Sequence, residues 1–261
     1  MPELPDVEGF RRYFARHARG KRVRGVEVPA RDILRNTSPQ RLARSLRGRR
    51  FGAPDRHGKW LLAPTGGPTL MMHFGMTGGL RWAGRNRGRH DRHRHDRVIL
   101  RLDGGELRYR NMRKIGGLWL ARDVAEIDRI TGDLGPDADE VGRDEFEEMV
   151  SGRRGGLKAT LMNQRFLAGI GNELSDEILW HARLDPTRRF SSLDDGERRA
   201  LHREMQRVIR ESNRHGRIPR KRSWISSQRG SRDPRCPRCR GPLRRSRIAG
   251  RTAYSCPRCQ R

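Results

Sequence analysis

The sequence predicts an α+β chain with a strand-rich first half, a helical second half and a small metal-binding module at its end. Three observations carry this. Between Arg22 and Leu120 the apolar residues fall in short runs, VRGVEV, KWLLAP, TLMMHFG, RVILRL, ELRYR and GLWLA, separated by Gly and Pro, which is the signature of strands. From Asp123 onward the spacing turns helical, in DEFEEMV, LKATLMNQ, NELSDEILWHA and the long SLDDGERRALHREMQRVIRESNRH. The four cysteines all stand in the last 26 residues as two CPRC pairs, Cys236 with Cys239 and Cys256 with Cys259, with 16 residues between the pairs. Runs of strands followed by runs of helices mark separate domains, and 261 residues suffice for two.

Taken in order, the first element is an amphipathic helix from Val7 to about Ala18, with Val7, Phe10, Phe14 and Ala18 on one face. Pro2 and Pro5 are expected to hold the chain out of helix ahead of Asp6, which caps it. A short helix, SPQRLARSL, enters at Ser38 within the strand-rich part. The predicted boundaries are a first domain over 1–121, a linker over 122–140 containing DLGPDADE, and a helical domain over 141–217. Residues 218–232, poor in apolar side chains, are expected to form a mobile basic tether lying along phosphate, leading to the cysteine module at 233–261. Two C-x2-C knuckles match one tetrahedral, structural zinc ion, whereas a disulfide framework is unexpected in a reducing compartment. The stretch RWAGRNRGRHDRHRHDR (81–97) holds His90, His93 and His95, but its mixed charges and lack of a carboxylate ligand spacing predict a solvated loop.

Charge is the strongest functional clue. The chain has 59 Lys plus Arg against 31 Asp plus Glu, a net of +28, most of the excess being Arg. Arginine forks suit phosphates, and a field of this sign gathers polyanions, so nucleic acid is the expected partner. An anionic membrane would call for a basic amphipathic helix or a lipid anchor, and neither is found. There is no apolar run of about 18 residues and no signal-peptide pattern, so a cytosolic protein is expected. An initiator Met before a small residue is normally removed, which would free the secondary amine of Pro2. An α-amino group has a pKa of about 7.7–8.0, so part of it is an uncharged nucleophile near neutrality. In GIGN (169–172) a tight turn leads into a helix at Asn172, where backbone N–H groups and the helix dipole predict an anion site.

Six segments occur in a telling order: MPELPDVE, HGKWLL (57–62), MMHFGMTG (71–78), RYRNMRKIGG (108–117), GIGNELSDEIL (169–179) and the paired CPRC knuckles with GRT before the second. Together, over nearly the whole chain, they resemble the formamidopyrimidine-DNA glycosylase/endonuclease VIII family of base-excision repair enzymes. The resemblance implies an N-terminal β-sandwich flanked by helices, a helical domain with a helix-two-turn-helix motif, and a zinc-finger β-hairpin, with duplex DNA in the cleft between them. It implies a monomeric glycosylase and AP lyase in which Pro2 attacks the sugar, Glu3 moves protons there, Lys59 assists base loss and β-elimination, and Arg251 serves the δ-elimination. Met76, Arg113 and Ile115 would fill the space left by an extruded base, and His95, Arg153, Asn172 and Arg251 would contact phosphates. Lys158 joins them as a DNA-binding residue.

Two departures bear on specificity. The family's formamidopyrimidine branch usually shows Asp-Pro-Arg-Arg-Phe where this chain has Asn111-Met112-Arg113-Lys114-Ile115, so an aromatic wedge is missing. The stretch before Cys236 is also shorter than the loop that caps a flipped 8-oxoguanine in relatives. Oxidised purines, oxidised pyrimidines and abasic sites all remain open as substrates. The alternative of another class is a non-catalytic nucleic-acid-binding protein that keeps the finger and the basic surface.

Overall fold

The computed structural model describes residues 1–85 and 91–261, so His90 lies outside the described residues. The chain divides into two compact units, one of Met1–Pro2 with Val7–Asp133 and one of Glu3–Asp6 with Leu134–Arg261.

Among the described residues the first unit holds helix α1 beyond its first turn, α2, a further helix at Val124–Thr131 and eight strands. Helix α1 spans Leu4–Ala18 and α2 spans Pro39–Leu46; the strands are β1 (Val23–Glu27), β2 (Asp55–His57), β3 (Trp60–Pro64), β4 (Thr69–His73), β5 (Gly78–Gly84), β6 (Asp96–Leu102), β7 (Gly105–Asn111) and β8 (Gly117–Ala121). They form two antiparallel four-stranded sheets, ordered β1-β6-β7-β5 and β2-β3-β4-β8. One core joins them as a sandwich: Leu61, Ala63, Leu70, Met72 and Leu118 from one sheet meet Val23, Leu80, Val98, Leu100 and Tyr109 from the other. The predicted helix face holds, with Val7, Phe14 and Ala18 fully buried in this core and Phe10 packed against it. Ser38 caps α2 as expected, its hydroxyl accepting from the Arg41 N–H.

Several expectations are corrected. Helix α1 starts at Leu4, not after Pro5. A proline is tolerated in the first turn because the N–H it lacks has no partner inside the helix there. The Asp6 carboxylate reaches back to accept the N–H of Glu3 at 2.9 Å, so Asp6 caps α1 from within. Residues 81–84, expected in a solvated loop, belong to β5, where Trp82 pairs with Leu107. The stretch 122–140, expected as a linker, carries helix α3 (Val124–Thr131), opened by Asp123 accepting from the Glu126 N–H.

The second unit contains α4 (Arg143–Val150), α5 (Leu157–Leu161), α6 (Asn172–His181), α7 (Asp195–His215) and the hairpin β9 (Arg244–Ile248) with β10 (Arg251–Ser255). Leu4 joins Phe146, Leu161, Leu174, Ile178, Leu201 and Val208 in its main core. A smaller cluster of Trp180, Ile225, Leu243 and Tyr254 packs around Cys236 and Cys256. The tether expected over 218–232 is packed instead. Trp224, Ile225 and Ser226 are buried, a 3-10 turn covers Ile225–Gln228, and the N–H groups of Ile225 and Ser226 donate to the buried Glu177 carboxylate at 3.2 and 2.8 Å.

One buried side chain ties together the two loops that lead out of β4 and β7. Asn111 Oδ1 accepts from the Lys114 N–H at 2.9 Å and the Thr77 hydroxyl at 3.1 Å, while Nδ2 donates to the Ile115 carbonyl at 3.0 Å and the Tyr109 hydroxyl at 3.1 Å. Replacing Asn111 with Ala strands several of these groups. The expected cost is about 2–3 kcal/mol in urea unfolding followed by near-UV signals of the first unit. Amide exchange should quicken in both loops, 74–78 and 111–117.

Candidate functional site

In the second unit the start of α6 already holds an anion, and it belongs to the chain itself. The Glu3 carboxylate, 1% exposed, accepts from the N–H groups of Gly171 (3.1 Å), Glu173 (2.9 Å) and Leu174 (2.9 Å). These are N–H groups that a helix leaves unpaired at its start, and the dipole favours a negative charge there. The phosphate site expected at GIGN is therefore occupied by Glu3. Gly171 is required by this approach, since a Cβ there would lie 2.3 Å from the Glu3 carboxyl carbon. Asn172, expected to aim a donor at phosphate, gives its Nδ2 to the Thr252 carbonyl of the hairpin at 3.0 Å. The neighbouring Arg251 is exposed and follows the two-residue turn Ala249-Gly250, whose φ angles of 47° and 73° match a tight hairpin. The structure thus gathers Glu3, Asn172 and the base of Arg251 around one helix end.

Lys158 is corrected more sharply. Its side chain is fully buried and its ammonium donates to the Asn172 carbonyl (2.9 Å), the Ser175 hydroxyl (3.0 Å) and Asp176 (2.5 Å), so it braces α6 and has no face for a phosphate. Arg153 is exposed, with its guanidinium 4.1 Å from the centre of the Phe166 ring.

Within the first unit, Lys59 follows Gly58 in the turn between β2 and β3, partly exposed. Beside it, burial first and the Lys59 charge second push His73 down to about 4, so this imidazole is neutral at physiological pH. Met76 and Ile115 project from the loops that Asn111 ties together, 36% and 47% exposed, and Arg113 Nη1 lies 3.3 Å from the Met76 sulfur. Met112, 54% exposed, adds a third apolar tip that sequence reasoning missed; its signal was an apolar residue inside an otherwise polar turn. His95 is partly exposed, its Nδ1 3.0 Å from an Arg97 nitrogen.

Asp6, next to the clamped Glu3, carries a perturbed carboxyl that the sequence did not single out. Burial pushes its carboxyl up to about 6, and the adjacent Glu3 charge adds to the rise against the hydrogen bond from the Glu3 N–H. The spacing that could have found it is a carboxylate three residues after the one that enters the helix.

The four cysteines form the one group of potential metal ligands among the described residues, with all four sulfurs within 4.8 Å of one another and none in a disulfide. Four thiols converging from two knuckles fit one zinc ion, which would hold the hairpin and leave no open position for chemistry. The Trp180 indole N–H donates to Cys236 Sγ at 3.4 Å, tying the end of α6 to the knuckle.

Three family models match in order: the formamidopyrimidine-DNA glycosylase N-terminal domain over residues 1–118, the formamidopyrimidine-DNA glycosylase H2TH domain over 134–222, and the zinc finger found in FPG and IleRS over 234–261. The formamidopyrimidine-DNA glycosylase of Symbiobacterium thermophilum is 34% identical over 281 aligned positions, covering 100% of this chain and 89% of its own. That of Moorella thermoacetica is 36% identical over 269, covering 99% and 92%. The Lactococcus lactis enzyme, solved non-covalently bound to DNA containing an AP site, matches with a TM-score of 0.88 at 25% identity over 99% of both chains. The chain belongs to the formamidopyrimidine-DNA glycosylase family.

Two outcomes follow from this geometry. Converting Cys256 to Ser, or strong chelation, should disorder residues from about 233 to 261, since metal binding supplies on the order of 10 kcal/mol of local folding in small zinc modules. Hydrogen exchange and a metal analysis giving about one zinc per wild-type chain check it. For Asp6, a folded-state pKa above the unfolded value means that the native state holds the proton more tightly. Its contribution is therefore fully present below about pH 4 and lost as pH rises through about 6. Asp6→Asn should gain on the wild type between about pH 4 and pH 7.5 by on the order of 2–3 kcal/mol, read from denaturant midpoints at the two pH values.

Proposed function

We propose that the chain is a bifunctional DNA glycosylase and AP lyase that removes oxidised bases from duplex DNA and cuts the strand. What carries the reading is the anchoring of Glu3: a buried carboxylate clamped by α6 fixes the residue that directly follows Pro2. A nucleophile at a chain terminus needs such anchoring, because free ends fray.

In this reading Met1 is removed and the Pro2 nitrogen attacks C1′ of the damaged nucleotide. The C1′–N bond breaks, and the base leaves with its electron pair and a proton. The Pro2 nitrogen gives up its proton, the C1′–O4′ bond breaks with O4′ taking a proton supplied by Glu3, and Pro2 and the ring-opened sugar are joined as an iminium, which acidifies C2′–H. Loss of that proton expels the 3′ phosphate, and a second elimination expels the 5′ phosphate. Glu3 serves proton movement at the sugar, Lys59 stands by the phosphodiester, and Arg251 promotes the second elimination. Zinc takes part in no step. Reaching C1′ requires the nucleotide to leave the stack, and Met76, Arg113 and Ile115, with Met112, would fill the gap at a cost of a few kcal/mol in unstacking. His95, Arg153 and Asn172 remain candidates for phosphate contact.

The names of the relatives, and a Lactococcus lactis enzyme solved with FAPY-dG containing DNA, favour oxidised purines. A preference for oxidised pyrimidines or abasic sites is the second reading. It is favoured by residues 218–232, which are short and packed on Glu177, leaving little chain to cap a flipped purine.

Borohydride trapping on duplexes carrying an abasic site, 8-oxoguanine or an oxidised pyrimidine tests chemistry and lesion choice together. Pro2→Gly should abolish trapping while leaving affinity for abasic DNA within a few-fold of wild type. Undiminished trapping would move the nucleophile to a lysine, and a protein whose intact mass retains Met1 yet traps normally would do the same. A wild-type protein that binds but never traps is a non-catalytic binder.

A further inference from the structure

The middle of α6 carries a buried charge cluster that the chemistry above leaves without a task. Asp176, 1% exposed, uses both carboxylate oxygens: Oδ1 accepts from Lys158 Nζ, and Oδ2 accepts from Arg229 and, at 3.1 Å, from the backbone N–H of Tyr254. Arg229 also donates to the Asn172 carbonyl at 3.2 Å and lies 4.9 Å from the centre of the Tyr254 ring. Tyr254 stands on β10, three residues beyond Arg251, and Asn172 grips the intervening Thr252 carbonyl. The hairpin is thus pinned to α6 at two points within one strand, and a strand advances only about 3.3 Å per residue. A fixed Tyr254 amide therefore fixes where the Arg251 backbone stands.

Stability alone gives no reason for this cluster. Buried ion pairs and triads are commonly replaceable by apolar residues of similar volume without loss, so a cluster buried here fits a demand for one defined arrangement. We propose that Asp176 is a positioning residue for Arg251. By holding the Tyr254 amide it sets the register of the hairpin on α6, and hence the point from which the Arg251 guanidinium serves the second elimination. In that step the proton leaves C4′, the C5′–O bond breaks, and its electron pair departs with the phosphate. The proposal rests on the reading of Arg251 given above.

Asp176→Asn is the sharpest test. The amide keeps the shape but offers one acceptor oxygen, which cannot serve both Lys158 and Tyr254. Zinc content should stay at one per chain and borohydride trapping on an abasic duplex within about twofold, while the ratio of δ- to β-elimination product falls by about tenfold or more, toward the roughly hundredfold that a misplacement of about 1 Å can cost. Adding Arg251→Ala should produce no further fall, because both changes act on one step. Arg229→Lys keeps the charge but loses the guanidinium fork that reaches both Asp176 and the Asn172 carbonyl, and should shift the ratio the same way by less. If Asp176→Asn fails to load zinc, the product ratio of Arg229→Lys decides. An unchanged ratio in the zinc-loaded proteins overturns the proposal, as does an equal loss of trapping and both eliminations, which marks Asp176 as purely structural. Full δ product from Arg251→Ala alone sinks the parent reading of Arg251, and the proposal with it.

Discussion

The second unit depends on the burial of one charged helix. Residues Leu174 to Trp180 of α6 are all buried, and two of them, Asp176 and Glu177, are acids. Buried charge is tolerable only when it is paired or hydrogen-bonded. Every segment around α6 therefore has to bring a donor. Residues 225 and 226 bring backbone N–H groups to Glu177; Lys158, Arg229 and Tyr254 converge on Asp176. Burial pushes Asp176 up and Lys158 down from their ordinary values, and their mutual attraction opposes both shifts. A stretch with few apolar side chains becomes ordered in this way, because polar satisfaction does the work that a hydrophobic face would otherwise do.

The same helix explains why Glu3 is where it is. An exposed helix start would present its free N–H groups to whatever anion arrives, as the sequence suggested for phosphate. Here a carboxylate from the start of the chain reaches them first, and the requirement for glycine at 171 shows how close that approach is. The basic excess then has separate uses. Inside, Arg108 is 2% exposed and pairs with Asp96 and Glu106, while Arg92 joins Glu27 to Glu106. Much of the acidic minority is consumed in such pairs, so the surplus arginines at the surface carry a field that draws in polyanions without selecting among them. Selection has to come from the few groups with fixed geometry.

How far the sequence revealed this differs by kind of signal. The cysteine spacing, the apolar face of α1 and most strands were legible because each is a local pattern with a fixed period. Strand β5 was hidden by its three glycines and by the arginine-rich run it leads into, and α3 by its brevity and exposure. The roles of Lys158 and of the GIGN turn were misread for another reason. Their partners, Asp176 and Glu3, are 18 and 168 residues away or more, and nothing in a local pattern says that an ammonium or a helix start is already satisfied. Packing of 218–232 was invisible on the same ground, since it answers a charge on α6.

The departure at 111–115 shows the limit from the opposite side. Where relatives usually carry Asp, this chain has Asn111, and its Nδ2 donates to the Ile115 and Phe74 carbonyls, which a carboxylate cannot do. The loop therefore closes on its own carbonyls, and its tip presents Met112 and Ile115 beside Met76 in place of an aromatic ring. A phenyl ring inserts as a rigid plate, whereas a thioether and a branched aliphatic adapt to the space they enter. In the proposed reading the gap left by an extruded nucleotide is thus filled by shape-tolerant side chains, with Arg113 as the one directional donor among them. In that reading discrimination by the wedge is weakened, and the choice of lesion falls on contacts to the flipped base itself.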